Sequence, residues 1–208
     1  MGLSGEEQAW DLLAELDPED VQARAVVLFD HERSTYMLTS FGQDIYISLK
    51  DRNVFSNSGS GHFIVNELSK HSRLSTILRY LIHAKDIPLS GHLVRPSDLP
   101  GGEIFLKGTY VIPLDKIAER FGNTPGAFLS KGKKLGGTKM DYGDISLILL
   151  PFPRVPVVLI LWSGDEEFPS RSSLLFDSTC SLHLATDVVW STAMITVEMM
   201  LFLTEAGN

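Results

Sequence analysis

Apolar positions along the chain change period repeatedly, and each change marks a different kind of element. Between residues 6 and 28, Leu12, Leu13, Leu16, Val21, Ala25 and Leu28 form a stripe at helical spacing. Asp17-Pro18 interrupts it, and because Pro suits a first helical turn and Asp its cap, two helices are predicted. Residues 34–55 switch to strand-like runs: Thr35–Thr39, a turn at 42–44, Ile45–Leu49, a turn at 51–53, then Val54-Phe55. The Ser/Gly-rich stretch 56–61 is predicted to be a flexible polar loop. Residues 62–86 return to the helical period, with Leu74, Ile77, Leu78, Leu81 and Ile82 on one face and His71, Arg79 and His83 toward the other.

Prolines and glycines at 88–102 predict loops, followed by a strand over 103–111. Leu114–Phe121 reads as a short helix ended by Gly122, and Pro125 opens a helical turn toward Leu129. Residues 131–139 read as a lysine–glycine loop. Asp144–Leu150 and Val155–Trp162 predict a hairpin so apolar that both faces must be covered. An acidic turn at 164–169 leads to a third strand at 173–177. Thr186 is placed as the cap of a helix over 187–204, apolar nearly all round and therefore central and buried.

Strands and helices mix without regular alternation, which predicts an α+β fold rather than a doubly wound sheet. The expectation is a single compact domain with a mostly antiparallel sheet and a buried C-terminal helix. Residues 1–28 form an acidic helical segment and 29–208 the α+β domain, with two lobes meeting near 88–102 as the alternative division. No internal repeat or low-complexity tract interrupts it.

Composition narrows the functional classes. Asp plus Glu outnumber Lys plus Arg by 26 to 18, a net charge of -8, which argues against a nucleic-acid partner. The lone Cys180 fits a reducing compartment and excludes a self-contained four-cysteine zinc or iron–sulfur site. The first twenty residues carry seven acids and no basic start, unlike a secretory signal. The apolar stretches 147–162 and 185–203 contain Arg154, or Asp187 and Glu198, and are rejected as membrane spans. A cytoplasmic location without membrane attachment is expected.

Two constellations could carry chemistry. If the hairpin centres on Pro153, Asp141, Asp144, Asp165, Glu166 and Glu167 gather at one rim. Such carboxylates repel one another or recruit Mg²⁺ or Ca²⁺; the competing reading is a solvated turn guarding a sheet edge. Lys131, Lys133, Lys134 and Lys139 sit among Gly136 and Gly137, a composition suited to a phosphate or carboxylate, or else to a solvated loop. The six histidines form no ligand-spaced pair. Cys180 and His183 are three apart, but a lone cysteine is commonly a small buried hydrophobe. No nucleophile elbow is present. Trp162, Phe168, Phe176 and Trp190 serve either as stacking surfaces or as core.

One set of motifs resembles a known family. Leu135-Gly136-Gly137, Gly143-Asp144, the run Pro153–Trp162, Gly164–Pro169 (GDEEFP) and Leu175-Phe176-Asp177, with Tyr80–Ala84 and Asp98–Glu103 upstream, are similar to an uncharacterised domain-of-unknown-function family of anaerobic bacteria and archaea. The likeness spans roughly residues 20–205, and GDEEFP is its most specific piece. It implies company with ferredoxin-like [4Fe–4S] modules and corrinoid proteins, in anaerobic one-carbon or redox metabolism. It implies no catalytic residue, and any cluster would belong to a partner.

Three functional readings follow. The first is a non-catalytic binding or accessory module serving a corrinoid or iron–sulfur partner. The second is a divalent-metal-assisted enzyme acting on a phosphate- or carboxylate-bearing small molecule, which requires the acidic rim and the lysine loop to share a pocket. The third is a structural module that forms a homodimer through its apolar C-terminal helix.

Overall fold

The computed structural model of the chain describes residues 5–69, 74–106 and 108–202. Helices α1 (Gly5–Glu15) and α2 (Pro18–Ala25) come first. The Asp17 carboxylate accepts the Glu19 amide at 3.1 Å and Pro18 fills the first turn, so the predicted break is a cap. Helix α2 stops before its apolar stripe does. Val26 turns left-handed (φ 55°), and residue 28, predicted to be helical, begins a strand.

Strands β1 (Leu28–Asp30), β2 (Thr35–Ser40), β3 (Gln43–Ser48) and β4 (Asn53–Phe55) form an antiparallel meander in chain order. The β2–β3 turn is tighter than predicted, at Phe41-Gly42, so Gln43 and Asp44 belong to the ladder. Alternation sends Tyr36, Leu38, Ile45, Ile47 and Val54 into the core. Helices α3 (Gly59–Ser69) and α4 (Leu74–His83) follow. The segment 56–61 is only half a loop, because the Ser58 hydroxyl accepts the Gly61 amide at 2.9 Å and starts α3. His71 lies outside the described residues.

A two-residue strand, β5 (Leu93–Val94), precedes tight 3₁₀ turns at Pro96–Asp98, Gly102–Leu106 and Gly108–Tyr110. The strand predicted over 103–111 is therefore replaced by coiled backbone. The Gly102 amide bonds back to the Leu99 carbonyl at 2.8 Å, and its α-carbon lies so close to the Pro96 carbonyl that a Cβ would sit 2.1 Å from it.

Helices α5 (Leu114–Phe121) and α6 (Pro125–Lys134) are next, and α6 absorbs three lysines predicted to be in a loop. Strands β6 (Thr138–Met140), β7 (Ile145–Phe152), β8 (Val155–Trp162) and β9 (Arg171–Asp177) join β5 in an antiparallel sheet of order β5-β9-β8-β7-β6. The predicted hairpin forms, with Ile145 opposite Leu161, and every residue from Val155 to Leu161 is buried. The short α7 (Cys180–His183) leads to α8 (Thr186–Leu201). Thr186 does not cap α8. Ala185 holds the cap position, and the Thr186 hydroxyl donates to the Pro100 carbonyl at 2.9 Å.

One apolar cluster runs from Trp10 and Leu13 through both sheets to Met199 and Met200 on α8, so the fold is a single compact α+β domain with a buried C-terminal helix. No helix among the described residues is long and apolar enough to cross a membrane.

Three joints hold the sheets and loops in place. At a β-bulge in β7 the Leu150 carbonyl leaves its own ladder and accepts the Phe41 amide at 2.8 Å. Beside it Gly42 and Gly136, both at φ 71°, meet backbone to backbone; a Cβ on Gly42 would lie 3.1 Å from the Gly136 α-carbon. In the β7–β8 turn, Arg154 donates to the carbonyls of Ala23, Arg24 and Ile87 and pairs with Asp86, while the Tyr80 hydroxyl donates to Ala25 at 2.7 Å. These bonds satisfy the last carbonyls of α2, which have no helical partner. The buried Asp177 carboxylate accepts the amides of Ser90, Gly91 and Thr179 and the hydroxyls of Ser90 and Thr179, latching the 88–92 loop to the end of β9. Burial alone would raise its pKa, but these hydrogen bonds outweigh it and bring it down to about 2.

Candidate functional site

The acidic rim assembles only in part. Asp144 and Asp165 line one cavity of about 570 Å³ with Trp162, Ser163, Phe168 and Arg171; Asp141, Glu166 and Glu167 are not among its lining residues. The register explains the pairing, since Asp144 follows from the β7–β8 ladder to the level of Trp162, and its carboxylate accepts the Ser163 amide at 2.8 Å. Asp165 accepts the Phe168 and Glu167 amides at 2.8 and 2.9 Å, which lowers its pKa and builds the turn. Both acids thus use oxygens on backbone donors. Arg171 lies over the Trp162 ring at 4.5 Å, a cation–π contact in the same cavity. Among the described residues no three His, Cys, Asp or Glu side chains are gathered tightly enough to hold a metal ion.

The lysine–glycine tract divides in two. Lys131 and Lys134 line a cavity of about 190 Å³ with Arg120, Ser130 and Phe121. Lys133 and Lys139 do not line it. Gly136 and Gly137 are closely packed: Gly136 meets Gly42, and a Cβ on Gly137 would lie 2.8 Å from the Gly132 carbonyl. The acidic and basic cavities share no lining residue.

A further candidate site is not among those the sequence predicts. The outer face of the β1–β4 sheet carries Leu28, Met37, Tyr46 and Phe55, which the ladders place side by side in one row. None is buried, and Leu28 is 61% exposed. The Tyr46 and Phe55 rings stack at 5.3 Å with 19° between planes. With Phe29, Asp30, Arg33, Thr35 and Asn57 the row lines a mostly apolar cavity of about 560 Å³. A smaller polar cavity of about 260 Å³ adjoins it through Tyr46 and Asn57 and is lined by Gln43, Asp44, Ser56 and Ser58. The Ser56 hydroxyl donates to the Asp44 carbonyl at 2.7 Å, and the Ser58 hydroxyl donates to the Gln43 side chain at 2.8 Å, fixing that rim. Large apolar side chains left open in a concave face, with polar groups at the edge, are the usual lining of a small-molecule site. The sequence does carry a signal for it: Leu28, Met37, Tyr46 and Phe55 recur at a spacing of nine. That spacing becomes a row only once the three hairpin registers are known.

Of the remaining candidates, Cys180, His183, Phe176 and Trp190 are engaged in packing or hydrogen bonds. Burial raises the Cys180 thiol to about 12, so it is protonated at neutral pH. The buried His183 uses its Nδ1 to accept the Lys85 amide at 3.1 Å, and burial lowers its pKa. Phe176 is core, Trp190 donates to the Tyr110 carbonyl at 2.8 Å, and Phe168 is 68% exposed.

The molecule is thus an α+β domain with an open aromatic sheet face and a separate cationic cavity. The family model described as Domain of unknown function (DUF3786) matches residues 17–199, and the chain belongs to that family. No curated protein and no solved structure matches it.

Proposed function

We propose that this protein is a non-catalytic binding module that holds a flat conjugated ligand on the open face of its β1–β4 sheet. Its role is accessory, serving a corrinoid or iron–sulfur partner in anaerobic one-carbon or redox metabolism. The observation that carries the reading is the row Leu28–Met37–Tyr46–Phe55 with its stacked aromatic pair, in a cavity of about 560 Å³. That volume is within the range of small-molecule sites. Stacked aromatic faces favour a planar π-system, and Arg33, Asp30 and Asn57 supply polar groups for its edge. A corrin ring, flat and fringed with amides, has this chemistry at one edge. The resemblance to a family found beside corrinoid and ferredoxin-like proteins supports the choice of ligand and partner.

The test is an anaerobic calorimetric titration with cobalamin, for the protein and for Tyr46→Ala and Phe55→Ala. Each substitution removes an exposed ring from the cavity, so affinity should fall about tenfold or more while the fold persists. Absence of binding, or binding equal in all three proteins, would overturn the reading.

A further inference from the structure

The cavity between α5 and α6 lies outside the sheet-face site and does not depend on it. Ala127, Ser130, Lys131 and Lys134 follow one face of α6 at helical spacing, and the end of α5 brings Arg120 against them. The Arg120 guanidinium rests on the Phe121 ring at 5.4 Å, which limits its freedom to swing into solvent. Phe121 is itself fixed by an edge contact with the buried Phe128 at 5.7 Å. Among the described residues no carboxylate pairs with Arg120, Lys131 or Lys134 within 4.0 Å. Three cations therefore share a small cavity in a protein whose net charge is -8. Like charges held together with no counter-charge among the described residues cost stability, and burial, with repulsion from Arg120 and Lys134 added to it, lowers the pKa of Lys131.

We infer that this cavity is a binding site for a small phosphate-bearing anion. A guanidinium fork, two ammonium groups and the Ser130 hydroxyl can together meet the several oxygens of a phosphate, each as a donor. About 190 Å³ admits a phosphate or diphosphate group but not a large organic ligand. The acidity of the rest of the chain disfavours a polynucleotide as the source of that phosphate.

Thermal unfolding with pyrophosphate, inorganic phosphate and citrate, each against chloride at equal ionic strength, tests the site. Pyrophosphate should raise the midpoint most, since an anion bound only by the folded state stabilises it by mass action. Lys131→Met keeps the aliphatic stem and should weaken pyrophosphate binding about tenfold, as should Arg120→Gln. Lys139→Met, on β6 outside the cavity, should leave binding unchanged. If Lys131→Met proves poorly folded, Lys134→Met at an exposed position takes its place. The inference fails if pyrophosphate does no more than chloride, or if its effect survives both cavity substitutions. Equal shifts with citrate and pyrophosphate would overturn the assignment to phosphate.

Discussion

The two sheets of this domain are built alike and finished differently. Both are antiparallel, and both contribute one face to the same core. In the C-terminal sheet the central strand β8 is buried at every position from Val155 to Leu161. In the N-terminal sheet, burial alternates along β2 and β3, and the residues left on the open side include Met37, Tyr46 and Phe55. A half-buried antiparallel sheet normally turns polar residues to water. Apolar side chains kept in a row on such a face contribute less to folding than buried ones, and the proposed ligand site rests on them. The contrast separates residues that hold the protein together from those on which the proposed binding role rests.

Substitutions at matched positions should expose that difference. Leu159→Ala, at the fully buried centre of β8, should cost about 3 kcal/mol in denaturant unfolding, through lost burial and the cavity left behind. Gly136→Ala should cost about 2 kcal/mol, because it forces a Cβ into a left-handed position 2.9 Å from the Gly42 α-carbon where the sheets meet. A fully additive double variant with Gly42→Ala would contradict that contact, since neighbours that share one approach should couple.

A third prediction concerns pH. Asp177, at the end of β9, has a folded pKa of about 2 against 3.8 for the free side chain. Its contribution is present above about pH 4 and lost as pH falls toward 2, about 2 kcal/mol in all. Asp177→Asn should flatten unfolding free energy over that window, and an unchanged acid limb would show that the latch is silent. The smallest effect on stability should come from the open face. Tyr46→Ala should cost only about 1 kcal/mol, the loss of a partly exposed ring and its stack on Phe55. If Tyr46→Ala destabilises as much as Leu159→Ala, the row is structural and the contrast between the sheets collapses.

Much of this was legible along the chain. The Asp17-Pro18 cap, the alternating strands of the meander, the apolar β7–β8 hairpin and the buried α8 each depend on spacing within a short segment, which local sequence controls. The errors arise from contacts that hydrophobic period does not encode. The strand expected over 103–111 yields to the contact between Gly102 and the Pro96 carbonyl, and the cap expected at Thr186 yields to the Pro100 carbonyl. The acidic and lysine-rich tracts were visible as composition, yet it is the fold that brings Asp144 and Asp165 to one cavity and Lys131 and Lys134 to another. Arg120, which completes the basic cavity, comes from a separate helix and carried no signal of its own.

The sequence by itself determined most of the segments that coil or extend and which of their faces are apolar, because those depend on period, propensity and caps. Tertiary structure decided which faces meet and which stay open. Leu28, Met37, Tyr46 and Phe55 form a surface only after three hairpin registers align them, and Arg120 joins Lys131 and Lys134 only after α5 and α6 pack against the C-terminal sheet. Register and packing are collective solutions of the whole core, so the sites they create have no address in any single stretch of chain.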